Sequence, residues 1–115
     1  MFKKFVAIFF LVIIAAGIIN TAAAKETVYG RVLEISSNGK SILDIIDGKR
    51  IFADLLKIDT VNLEDGTFTG HNSSGFIFTV YLNDGPEDMT EGDYYTLVYK
   101  GSDVYGLYYE RPDLL

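Results

Sequence analysis

Apolar and polar residues alternate through residues 28–56, VYGRVLEISSNGKSILDIIDGKRIFADLL, more clearly than anywhere else in the chain. Asn38-Gly39 and Asp47-Gly48 divide this stretch into three runs rich in Val, Ile, Leu and Phe. Both dipeptides suit type I′ turns, whose two central residues need positive φ. The pattern predicts a three-stranded meander. In its first strand Val28, Gly30 and Val32 alternate, and the apolar phase then slips to Ile35, as it does at a β-bulge. Counting through two-residue turns pairs Ile35 with Ile42, and Ile42 with Ala53. One face then collects Val28, Val32, Ile35, Ile42, Ile46, Ile51, Ala53 and Leu55 as a core face, with Asp44 among them. The other face collects Tyr29, Arg31, Leu43, Ile45, Arg50, Phe52 and Asp54.

Downstream the signals are weaker at first. Val61 and Leu63 alternate briefly before the turn Glu64-Asp65-Gly66, and Thr67-Phe68-Thr69 reads as a short return strand. Residues 57–75 show no 3.6-residue apolar period, so a helix there could reach only one or two turns. Residues 70–75, GHNSSG, read as a loop. Residues 76–82 form a strand with Phe76, Phe78, Val80 and Leu82 on one face, ended by Asn83-Asp84-Gly85-Pro86. An acidic connector leads to a strand at 94–100, a turn at 101–103 and a last strand at 104–110, beyond which Pro112 limits extension. Short strands separated by regular turn signals predict an all-β fold, a small barrel of five to seven strands or a sandwich.

The N-terminus has a different pattern. Met1-Phe2-Lys3-Lys4 is a short basic region, residues 5–19 are uninterruptedly apolar, and Ala22 and Ala24 precede a cut before Lys25. This is the layout of a signal peptide over residues 1–24, which makes the protein exported, periplasmic or secreted. The rival reading is an uncleaved membrane anchor, because about 20 apolar residues span a bilayer. Cleavage leaves a single domain over residues 25–115, enough for one modest core. Loss of Lys3 and Lys4 leaves 8 basic against 16 acidic residues, a net charge of −8 that disfavours nucleic acid. The chain has no cysteine, so its hydrophobic core must hold it without disulfides.

Four features together resemble an oligonucleotide/oligosaccharide-binding (OB) barrel, a five-stranded Greek-key fold. They are the long bulged strand Tyr29-Gly30-Arg31-Val32-Leu33-Glu34-Ile35, the meander through Asp47-Gly48-Lys49, the lead-in Glu91-Gly92-Asp93, and Tyr99-Lys100-Gly101 at a strand end. In outline the chain is similar to exported bacterial OB-fold proteins. It departs from them by lacking the helix they carry between strands three and four, and by the extra strand at 76–82.

Candidate chemistry is sparse. His71 is the only histidine, and a hydrolase would need it to activate Ser73 or Ser74, with no Gly-x-Ser-x-Gly elbow in the chain. One histidine without cysteine also makes a poor zinc site. Asp84, Glu87, Asp88, Glu91 and Asp93 offer hard oxygens to Ca²⁺ but match no EF-hand spacing. Seven of the eight tyrosines crowd the last three strands, so that of Tyr94 and Tyr95, or Tyr108 and Tyr109, one must face outward. The pattern therefore favours a non-enzymatic binding module without a cofactor, taking an envelope protein, peptide or glycan on Tyr29, Arg31, Arg50 and Phe52. The alternative is a calcium-dependent structural module of the cell envelope, built on the acidic connector.

Overall fold

A computed structural model describes residues 27–111 and Asp113, so segment 1–24, where a signal peptide is expected, lies outside the described residues. Seven antiparallel strands account for the fold: β1 (Gly30–Ser37), β2 (Lys40–Ser41), β3 (Ile51–Asn62), β4 (Thr67–His71), β5 (Ile77–Leu82), β6 (Tyr94–Lys100) and β7 (Asp103–Glu110). They form one sheet in the order β2-β1-β5-β4-β3-β6-β7, and a further β1–β7 pairing closes it into a ring. The all-β expectation holds. Strands β3, β4 and β5 follow one another through short turns, and β6 returns over a long connection to lie beside β3, which is Greek-key order. Among the described residues no helix is long and apolar enough to cross a membrane, and no α-helix forms between β5 and β6.

The meander predicted for residues 28–56 is only half formed. At Asn38 (φ 53°) and Gly39 (φ 80°) the chain makes the expected tight turn, pairing Ser37 with Lys40 and Ser36 with Ser41. The Ile42 N–H then donates to the Ile35 carbonyl at 2.7 Å, the predicted partner. There β2 ends. Residues Leu43–Ile45 wind into a single 3₁₀ turn, with the Ile46 N–H on the Leu43 carbonyl at 3.2 Å. At Asp47-Gly48 the Asp47 carboxylate accepts the Lys49 N–H at 2.8 Å and redirects the chain. A side-chain turn of this kind competes with the hairpin that the same dipeptide can make. Consequently β3 pairs with β6 and β4, and Ile42 does not meet Ala53.

This reverses the facing of β3. Leu56 and Ile58 are buried and Phe52 is half-buried against the core, whereas Ile51, Ala53 and Leu55 are exposed. The predicted core face keeps Val32 and Ile35 buried and Ile42 and Ile46 half-buried, but Val28 is exposed as well. The β1 bulge falls where the apolar phase slips, between Val32 and Glu34, and it turns Leu33 out to solvent. The core is completed by Phe68 of β4, Phe78, Val80 and Leu82 of β5, Tyr95, Leu97 and Tyr99 of β6, and Val104 and Leu107 of β7. Pro86 and Met89, both buried, tuck the long connector beneath this ring. On β7 a bulge skips Tyr105, and the ring of the buried Tyr108 lies over Gly106. An aromatic ring covering a glycine in this way shields backbone that would otherwise meet water.

Candidate functional site

The N-terminal half of β3 combines exposed apolar side chains with an open backbone edge. From Ile51 to Lys57 the strand pairs with β6, from Lys100 back to Tyr94. On its other side β4 reaches only as far as Lys57, where His71 is the last partner, and residues 72–75 turn away. Residues 51–56 therefore have a strand partner on one side only among the described residues. Their outward side chains are Ile51 (47% exposed), Ala53 and Leu55 (39%). Arg50 and Lys57, both exposed, stand at the two ends, with Lys100 directly opposite Ile51. The Lys57 ammonium lies over the Tyr94 ring, 5.9 Å from its centroid.

Behind this edge, inside the ring, a polar group sits among aromatics. The Tyr99 hydroxyl donates to Asp54 Oδ2 at 2.7 Å, and Asn72 Nδ2 donates to Asp54 Oδ1 at 3.3 Å. Asn72 Oδ1 in turn accepts the backbone N–H groups of Ser74 (3.0 Å) and Phe76 (2.9 Å). One asparagine thus ties the 72–76 turn to the inner side of β3. The Phe52 ring stacks on Tyr99 with centroids 5.7 Å apart, and Phe78 meets Tyr99 edge-on at 5.7 Å. Burial, then the Asp54 carboxylate, pushes the Tyr99 hydroxyl well above the usual tyrosine pKa. Burial first, then the charges of Asp93 and Asp88, pushes Tyr95 up to about 12.

The residues expected to share one binding face are separated. Phe52 points into the ring and Tyr29 is half-buried against the core. Arg31 is exposed on β1, where it pairs with Asp103 of β7 and Tyr81 of β5. Arg31 reaches Ile51 only through Asp103 and Lys100, three strand spacings or roughly 14 Å around the ring. Arg50 is exposed before β3, 3.9 Å from the Asp47 carboxylate. The physical reason is the early end of β2: without a β2–β3 pairing, the two halves of the expected face belong to different parts of the ring. Of the four residues, Arg50 and Phe52 flank the open edge. Asp54, Asn72, Ile51 and Leu55 complete it and were not singled out from sequence. Asp54 and its partner Tyr99 are 45 residues apart, a separation no local pattern reports.

The other sites are placed as follows. His71 Nδ1 lies 2.9 and 3.0 Å from the two oxygens of Asp59, the bulged residue of β3, at a part-exposed position. Ser73 and Ser74 are exposed in the adjoining turn, and neither hydroxyl bonds His71 among the described residues. In the β5–β6 connector Asp84, Glu87, Asp88 and Glu91 are exposed and Asp93 is half-buried, its carbonyl accepting the Ile58 N–H at 2.8 Å. Among the described residues no three acidic, histidine or cysteine side chains converge in a way that could hold a metal ion. Comparison with known proteins finds no matching family model, no matching curated protein and no matching solved structure.

Proposed function

We propose that this protein is an exported, non-enzymatic binding module that captures an extended segment of a protein or peptide along the open edge of β3. The observation that carries the reading is the half-paired strand: residues 51–56 keep one backbone edge free while presenting Ile51, Ala53 and Leu55 outward. An added strand would lie in line with β4, taking main-chain hydrogen bonds for affinity and packing alternate side chains for selectivity. Behind the edge, Asp54, Tyr99 and Asn72 hold the strand rigid, so little ordering is needed on binding. Greek-key order in β3–β6, with β1 inserted between β5 and β7, supports an OB-like barrel as the scaffold.

Binding is tested with protein purified from cells expressing the full chain, titrated with extended nine-residue peptides of alternating Val and Thr. Backbone amide shifts confined to residues 51–57 are the expected result, and they should vanish in Leu55→Pro. Shifts that appear only elsewhere, or no binding by any such peptide, reject the reading.

A further inference from the structure

The charge around the open edge differs from the charge of the rest of the molecule. Between Lys57 and Lys100 the chain carries eight acidic residues and no lysine or arginine. Four of the seven lysines and arginines among the described residues, Lys49, Arg50, Lys57 and Lys100, lie at the two ends of the open edge or directly across it. The nearby carboxylates are partly engaged: Asp47 accepts the Lys49 N–H and meets Arg50, and Asp54 is turned inward to Tyr99 and Asn72. A protein with this distribution repels an acidic segment over most of its surface and admits it at β3.

A second copy of the chain does not satisfy the same edge. His71 already stands opposite Lys57, so two β3 strands can pair only through the open residues, and antiparallel pairing about Ala53 sets Arg50 of one copy opposite Leu56 of the other, beside Lys57, at both ends. Like charges crowded together across a strand pair destabilise it, and edge lysines are a common guard against self-association. The guard excludes a copy of itself and leaves a carboxylate-flanked strand acceptable.

We infer that the segment captured by β3 is an acidic peptide: three alternate apolar residues opposite Ile51, Ala53 and Leu55, with a Glu or Asp at each end, one opposite Arg50 and one opposite Leu56 beside Lys57. The inference rests on the strand addition proposed above. It is tested with the end-capped peptide Glu-Val-Thr-Val-Thr-Val-Glu and two analogues whose end residues are both Gln or both Lys. Cross-strand charge pairs of about 0.2–1 kcal/mol each predict that the Glu-ended peptide binds about fivefold tighter than the Gln-ended one. The Lys-ended peptide should bind weakest, and the spread should narrow as salt rises. In the double variant Arg50→Glu, Lys57→Glu the order should invert. Equal binding of all three peptides would overturn the acidic preference while leaving strand addition intact. Polyglutamate binding as tightly as the Glu-ended peptide would overturn it too, by showing a plain charge patch. Failure of every peptide to bind would remove both the inference and the reading beneath it.

Discussion

Tyr99 joins the inside of the ring to its open edge, being 3% exposed and yet bonded to the half-buried Asp54. Its hydroxyl stays protonated in the folded chain to a pH at which an unfolded tyrosine has ionised. Above the unfolded value of roughly 10, the folded state therefore holds more protons than the unfolded one, and stability falls as pH rises. Tyr95 and Tyr108, raised by burial, act in the same direction. The melting temperature should thus be flat in this respect below pH 10 and decline through pH 11. In Tyr99→Phe the alkaline decline should be shallower, while stability near neutral pH should drop by about 1.5–3 kcal/mol, the worth of a hydrogen bond to a charged group. Melts of both proteins from pH 8 to 11 check this; an unchanged alkaline slope contradicts it. Alternation in β6 puts Tyr95 and Tyr99 on one face and Tyr94 on the other, but leaves open which face is inward. The Asp54 partner of Tyr99 is not legible either, because the expected meander pairs that part of β3 with a different strand.

At the scale of the element, β3 carries the clearest difference between pattern and structure. Ile51-Ala53-Leu55 and Phe52-Leu56-Ile58 are two interleaved sets, and Leu55-Leu56 lets the apolar phase be read either way. A one-residue change in the assumed turn exchanges the two faces. Partner strands, absent from local sequence, decide between them. Leu56 is fully buried and Leu55 is 39% exposed, so Leu56→Ala should cost about 2–5 kcal/mol and Leu55→Ala well under 1. Urea unfolding of the two variants distinguishes the facings; equal losses would return Leu55 to the core. The bulge in β1 behaved differently. A slip within one strand is recorded in that strand's own residues, and Val32 and Ile35 are both buried as their spacing implies.

The whole molecule depends on a corner at Gly30. This residue pairs with Leu82 of β5 and with Val104 of β7, so β1 closes the ring there. A Cβ on Gly30 would run into the backbone carbonyl of Tyr81, which cannot move without shifting β5. Gly30→Ala should therefore cost about 3 kcal/mol, at the upper end of overpacking effects, and should speed hydrogen exchange in β1 and β7 before β3. Uniform acceleration across all strands would show that closure is not local to this corner.

Local sequence was enough to establish that the described residues form an all-β fold, where most of the strands lie, and where β1 is bulged. Each of these follows from alternation or turn chemistry within a few residues, where the physics is local. Long-range pairing settles that β2 stops after two residues, that β3 joins β4 and β6, and that its Ile51 side faces solvent. Those outcomes depend on which strand edges meet across tens of residues, and there many pairings suit the local pattern while only one closes the ring around a filled core.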